Sequence, residues 1–340
     1  MTTMTALGLA GIASKTFCSH FKSEATKFYI RALKQTNNAL SSPTQRLTDA
    51  TLMSTLLLSV FEATSNTIGL GGWSAHVEGS ATLLRLRGAA QFDAIAGRRM
   101  YFQMVGMLAM NCSGKGIPVP AWVKELNHAV GWSEKDAQEP WERFWWLHIR
   151  VVDFRAEVIR RTTKSKLPLS TEAGQKIINR ALEYDHTAKD ILTQMDNSTE
   201  WSYTSITTTI PTHTTTPTPP FASSSPNPST SYPSDPIFNS TYHIYPSHNS
   251  ALTYNLVRQL RIHLHDVIRN VLLHLLSSPT LPSASRALYS AQLRRSFDIL
   301  QETQHAILSS IPQFLGDVPS TPTISSPSSP GPPAAPLTPG

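Results

Sequence analysis

Apolar residues recur at spacings of three and four along most of this chain, the period of helices with one face buried. In "TDATLMSTLLLSVFEA", Thr48 stands where a helix N-cap belongs and Asp49 in the first turn. Leu52, Leu56 and Val60 then form one stripe, with Met53 and Leu57 beside it. Nearly every face is apolar, so this helix should be central. Before it, "SEATKFYIRALKQTNNAL" points Phe28, Ala32 and Leu33 to a core and Lys27, Arg31 and Lys34 to water, and Pro43 breaks the chain. "PWERFWWLHIRVVDFRAEVIRR" opens with Pro140, a residue suited to a first helical turn. It carries two stripes: Trp141, Trp145, His148, Val152 and Arg155 near one, and Phe144, Leu147, Val151 and Val158 on the other. "STEAGQKIINRALEYDHTAKDILTQM" is amphipathic through Ile177, Ala181, Tyr184, Ala188 and Leu192.

The pattern collapses after residue 198. "TSITTTIPTHTTTPTPPFASSSPNPSTSYPSDP" has neither Lys nor Arg and no periodicity. Such a segment buries too little apolar surface to offset the entropy of ordering it. Helical spacing returns in "SALTYNLVRQLRIHLHDVIRNVLLHLL" and "SASRALYSAQLRRSFDILQETQHAILSSI", and the end of the chain is again Pro- and Ser-rich. No strand–helix alternation is visible, which disfavours an α/β enzyme fold. The sequence therefore predicts an all-α, bundle-like multi-helix domain made of residues 1–198 and 249–318. A disordered Ser/Thr/Pro-rich insertion over 199–248 interrupts it, and a disordered tail over 319–340 ends it. The last two helices should pack back on the first group, since their stripes have no other partner.

Within "GWSAHVEGSATLLRLRG", residues 73–87 read as a helix with Ser74 at its start and Gly88 at its end. Trp73, Val77, Ala81 and Leu84 share one face, and His76, Ser80, Leu83 and Arg87 lie beside them. His76 and Glu78 point about 200° apart around the axis and cannot act on one atom together. Gly79 and Ser80 are small enough to admit a neighbouring helix. The stretch is thus read as packing, with His76 a satisfied, partly buried imidazole.

The order Trp73, His76, Gly79, Leu83, Leu84, Arg87, Gly88 resembles the Trp–His–Gly–Leu-Leu–Arg-Gly stretch in the regulatory region of fungal zinc binuclear-cluster (Zn2Cys6) transcription factors. "FYIRALKQTNNAL", "LTDATLMSTLLLSVFE" and "QFDAIAGRRMYFQ" are similar to neighbouring segments of that family, as are "YNLVRQLRIHLHDVI" and "ILSSIPQFLGD" near the end. Together they extend the resemblance over residues 1–318. It implies a nuclear regulator whose helical body modulates activity through intramolecular inhibition, homodimer contacts or an effector, in metabolic or secondary-metabolite gene control. The family reads DNA through six cysteines holding two zinc ions, whereas this chain has only Cys18 and Cys112. Direct DNA binding is therefore not expected of it, and other transcription factors or co-regulators are the expected partners.

Composition narrows the alternatives. Charged residues are 15% of the chain against roughly 25% in an ordinary domain, and the net charge of +6 permits an acidic partner without requiring one. Two distant cysteines build neither a disulfide framework nor a four-cysteine zinc site, and fit a reducing compartment. No apolar run is long enough for a membrane span. The "GLGG" at residues 69–72 follows a helix rather than a strand and is read as a turn, not a phosphate loop. Cys112 is read as a buried or loop thiol. His263 and His265 diverge on their helix, and no catalytic, cofactor or metal residue is assigned. Arg258, Arg261 and Arg269, with Arg294 and Arg295, are read as solvated helix surface, against a second possibility of phosphate contact. A different class of reading stays open: an all-α small-molecule-binding protein or enzyme, with a cavity near Trp145, His148 and Cys112.

Overall fold

The stripes read from the sequence become helices in the computed structural model, which describes residues 1–65, 69–164, 169–207, 241–279, 281–316 and 318. The chain begins with α1 (Thr2–Thr16) and α2 (Ser19–Ser41), followed by α3 (Asp49–Ser65) and α4 (Gly71–Arg87). A 3-10 turn over Gly88–Phe92 leads to α5 (Ile95–Lys115), α6 (Ala121–Ala129), α7 (Pro140–Lys164) and α8 (Thr171–Asp196). After the strands come α9 (His248–Leu276), α10 (Ser283–Leu308) and the single turn α11 (Ile311–Leu315). Caps fall where the side chains supply them. Thr48 Oγ1 accepts from the Thr51 amide at 3.3 Å, and Ser170 Oγ from the Ala173 amide at 3.2 Å. Among the described residues no helix is long and apolar enough to cross a membrane.

The apolar interior is divided by α7. Phe144, Leu147, Val151, Phe154 and Val158 join one core with α8, α9 and α10. Trp145, Ile149 and Val152 join a second core with α3, α4 and α5. At 100° per residue these two stripes are centred about 145° apart, on opposing sides of the helix. The late helices do pack back, with α9 lying against α8, α10 and α7. Trp145 and Trp146 pack among other aromatic rings, Trp145 standing 4.5 Å from Trp132 between ring centroids. A smaller cluster of Ala6, Ala25 and Phe61 seats α1 and α2 on α3.

One expectation needs correction. The region expected to be irregular over 199–248 is ordered at both ends: Thr204–Thr207 (β1) pairs antiparallel with Thr241–Ile244 (β2), with Thr204 opposite Ile244 and Thr207 opposite Thr241. Composition discounted the aromatic and β-branched residues there. Trp201, Ile244 and Tyr245 are buried, and that burial, with β-branched Thr and Ile in the ladder, orders the pair. Residues 208–240, the tail 319–340 and the end of the basic run at 160–166 lie outside the described residues.

Leu147 is fully buried on one side of α7 and Ile149 nearly so on the other. Leu147→Ala and Ile149→Ala should each cost about 2–5 kcal/mol. Because one helix belongs to both cores, tryptophan fluorescence and far-UV circular dichroism should give coincident urea transitions in each variant. Transitions that separate would show two independently unfolding bodies.

Candidate functional site

Helix α4 starts at Gly71, earlier than Ser74, so Ser74 is not its N-cap. Its amide instead donates to the Leu70 carbonyl at 2.9 Å. The cap position falls to Leu70 because the glycines at 71 and 72 enter the helix. Gly72 packs against the Glu62 carboxylate, the flexible end of a side chain that a Cβ there would displace. The helix ends as expected at Gly88, whose φ of +59° suits glycine. Gln91 Nε2 completes that end by donating to the carbonyls of Leu84 at 3.0 Å and Gly88 at 2.7 Å.

Every residue of the motif except Gly79 has a structural place. Leu83 and Leu84 are buried in the second core and Trp73 packs at its edge. Arg87 pairs with Asp49 in the first turn of α3. His76 Nε2 lies 3.4 Å from the hydroxyl of Tyr29, which donates to Glu62, so α2, α3 and α4 meet there. Burial lowers the His76 pKa against an opposing pull from Glu62, and the imidazole stays neutral as a link between helices. Ser80 Oγ lies 2.8 Å from both Thr55 Oγ1 and the His76 carbonyl, at the close approach of α3 and α4. Gly79 plays no such part: it is exposed, and nothing lies within 4 Å of where its Cβ would be.

The concavity lies behind this helix. A cleft of about 860 Å3 opens between α4, α5, α7 and α9. Gly71, Ser74, Ala75 and Glu78, one stripe of α4, form one wall, and Leu256, Gln259, Leu260 and His263, one stripe of α9, form another. Helix α5 contributes Met110, Asn111, Ser113 and Lys115, and α7 contributes Phe144, His148 and Arg155. On α7, His148 and Arg155 fall in the seam between the two apolar stripes, and so they face this gap. Arg155 Nη1 donates to Ser113 Oγ. Lys115 is matched by Glu78, which also accepts from Asn111 Nδ2 at 3.1 Å. The Lys115 hydrogen bond holds the Glu78 carboxyl below its usual range.

The cavity imagined around Trp145, His148 and Cys112 is therefore corrected. His148 lines the cleft, but Trp145 and Cys112 belong to the second core. Cys112 is 2% exposed, and burial pushes its thiol up to about 11, far from a reactive thiolate. His263 and His265 do diverge. His263 faces the cleft, while His265 Nδ1 stands 3.1 Å from Ser296 Oγ and its Nε2 3.2 Å from Asp185. Among the described residues, no three His, Cys, Asp or Glu side chains form a metal-binding group.

Arg258 and Arg261 of α9 are not solvated surface, a second correction, whereas Arg269 is a partly exposed member of an ion pair along its own helix. Arg258 is 5% exposed, with Tyr203, Tyr245 and Tyr254 ring centroids 5.1–5.9 Å from its guanidinium carbon. It donates to the Tyr245 hydroxyl at 2.6 Å. Arg261 Nε holds Asp185 at 2.7 Å. Burial works against the Asp185 charge, but His265 and Arg261 outweigh it and hold the carboxyl at about 2. Arg269 is bound to Asp266 at 2.6 Å. Only Arg294 and Arg295 of the five are exposed, so no continuous phosphate-binding face exists on α9. The side chains that sequence reasoning passed over are Ser113 and Gln259. The seam position of Arg155, seven residues after His148, was the signal available.

Residues 3–113, spanning α1 to nearly the end of α5, match the family model of the fungal specific transcription factor domain. The matched segment contains Trp73 to Gly88 and one side of the cleft. The resemblances noted near the C-terminus fall outside it. No curated protein matches the chain, and no solved structure does.

Gly97 and Gly79 separate a required glycine from a tolerated one. A Cβ at Gly97 would strike the Gln91 carbonyl oxygen in the turn before α5. Gly97→Ala should cost about 1–3 kcal/mol, whereas Gly79→Ala should stabilise by up to about 1 kcal/mol, both read by thermal melts. Acid gives a further test. Burial, then the neighbouring His263, lowers His148 from 6.5 to about 4, and burial, then Arg155, lowers His263 to about 4. The unfolded chain binds these protons first, so stability present above about pH 6.5 should drain away as pH falls toward 4. For His148, 9% exposed, the loss approaches about 3 kcal/mol. His148→Gln should flatten this part of a urea-denaturation series against pH, and an unaltered slope would refute the assignment.

Proposed function

We propose, from a chain whose residues 3–113 carry the fungal specific transcription factor domain, that this protein is a nuclear transcription regulator related to the zinc binuclear-cluster factors. The observation that supports the reading is that the family match spans α1–α5 and that Val77, Ala81, Leu83 and Leu84 of the Trp73–Gly88 motif are buried in the packing of that unit. Its residues join helices, which is what a regulatory body needs and what a reaction centre does not. In this reading the 340 residues perform no catalysis. They reach their gene set, metabolic or secondary-metabolite, through other transcription factors, co-regulators or a second copy of the chain. Two cysteines cannot form the six-cysteine cluster, and Arg258 and Arg261 of α9 are engaged inside the fold. Both facts favour contact with DNA through partners over direct readout.

Tethering supplies the test. The full chain fused to an unrelated DNA-binding domain should change transcription of a reporter bearing that domain's site several-fold. Leu84→Asp, which places a charge in the second core, should abolish the change. A reporter indifferent to the fusion, together with exclusion of the untagged chain from nuclei, would overturn the proposal.

A further inference from the structure

We infer that the cleft between α4, α5, α7 and α9 binds a small organic anion, a carboxylate or sulfonate on a flat apolar body, whose charge is received by Arg155. The guanidinium of Arg155 has five N–H donors. Its hydrogen bond to Ser113 Oγ is the one it makes among the described residues, and none of their carboxylates lies within ion-pair distance of it. Desolvation already weighs on its charge. A half-buried cation without a counter-ion is costly, and a ligand anion removes that cost.

The other charges of the neighbourhood are matched. Lys115 pairs with Glu78 at the rim. Asp153 holds Lys124 and the Val119 amide. Asp266, the acid whose field reaches both Arg155 and His263, is bound to Arg269 at 2.6 Å and Asn270 at 3.3 Å. His148 and His263 are neutral near pH 7 and offer ring nitrogens, not charge. One unmatched cation selects a monoanion, because a polyphosphate needs several.

The walls select the rest of the ligand. Leu70, Trp73, Met110, Phe144, Leu256 and Leu260 line the same space. A volume of about 860 Å3 lies within the usual range for organic ligands, roughly 300–1,000 Å3, and an inorganic ion would leave those walls wet. Polar groups come from all four helices, and the pair able to receive the charged end is Arg155 with Ser113, which touch within the cleft. The cleft also bridges the two cores, since α4 and α5 belong to one and α9 to the other. A ligand there touches both. That it acts as an effector rests on the regulator reading above; that it binds does not.

The probe is 1-anilinonaphthalene-8-sulfonate against its uncharged counterpart N-phenyl-1-naphthylamine, titrated into the full chain by fluorescence and calorimetry. The sulfonate should bind at one saturable site, at least tenfold tighter than the neutral compound. Arg155→Gln should erase that preference and leave the neutral compound within about twofold. Ser113→Asp places an internal carboxylate beside Arg155 and should also abolish sulfonate binding without lowering the melting temperature, so it decides the matter if Arg155→Gln fails to fold. Near-UV circular dichroism confirms native packing, because the sulfonate also lights up in loosened states. Equal affinity for the two compounds, a preference that survives the variants, or many weak sites would overturn the inference. The readout is binding, so failure of the reporter experiment leaves this test intact, and the reverse.

Discussion

Helix α7 has to be covered on two sides at once. Phe144, Leu147, Val151, Phe154 and Val158 look one way, and Trp145, Ile149 and Val152 look nearly the opposite way. A helix with a single apolar stripe can lie on a surface, but one with two must be an interior partition. Everything before it supplies one cover and everything after it the other. The seams between the stripes must then take polar groups. One seam carries Asp153, occupied by Lys124 and the Val119 amide. The other carries His148 and Arg155, and there the two covers diverge and leave the cleft. The cleft is thus a consequence of dividing one interior between two groups of helices.

Buried charge links the helices that follow α7. Asp185 of α8 is held by Arg261 of α9 and approached by His265, which also meets Ser296 of α10. Arg258 sits among three tyrosines brought in from before β1, after β2 and along α9. These contacts add little net stability once desolvation is counted. They do fix which turn of α9 meets which partner. They also draw its cations inward, so the same residues that look like a basic face in sequence close the interior of the fold.

The fold was largely legible in the sequence because its signal is periodic. Two stripes on one helix are visible in residues 144–158 without any structure, and so is the need for a cover on each side. The motif from Trp73 to Gly88 was legible as packing for the same reason. The start of α4 was not, because a serine looks like a cap while glycine, here at 71 and 72, looks like an end. Gly79 was credited with a close approach that belongs to Ser80 alone. The strands at 204–207 and 241–244 were hidden by composition, since three threonines, a serine, two isoleucines, a tyrosine and a histidine give no pattern until their distant partners are known. The cleft was half visible. His148 was noticed, but its companions come from three other helices. Arg155 becomes informative only when the absence of a carboxylate beside it can be checked in space.

The pairing of β1 with β2 holds Thr207 opposite Thr241, neighbouring strands being about 4.8 Å apart. The His243 amide donates to the Ser309 carbonyl, and the Gln313 side chain accepts from the Tyr245 amide and donates to its carbonyl, clamping that pair to the end of α10 and to α11. Thr207 and Thr241, the described residues on either side of 208–240, are therefore fixed side by side on the body. One short ladder thus sets both the point where the chain departs after α8 and the point where it returns to begin α9.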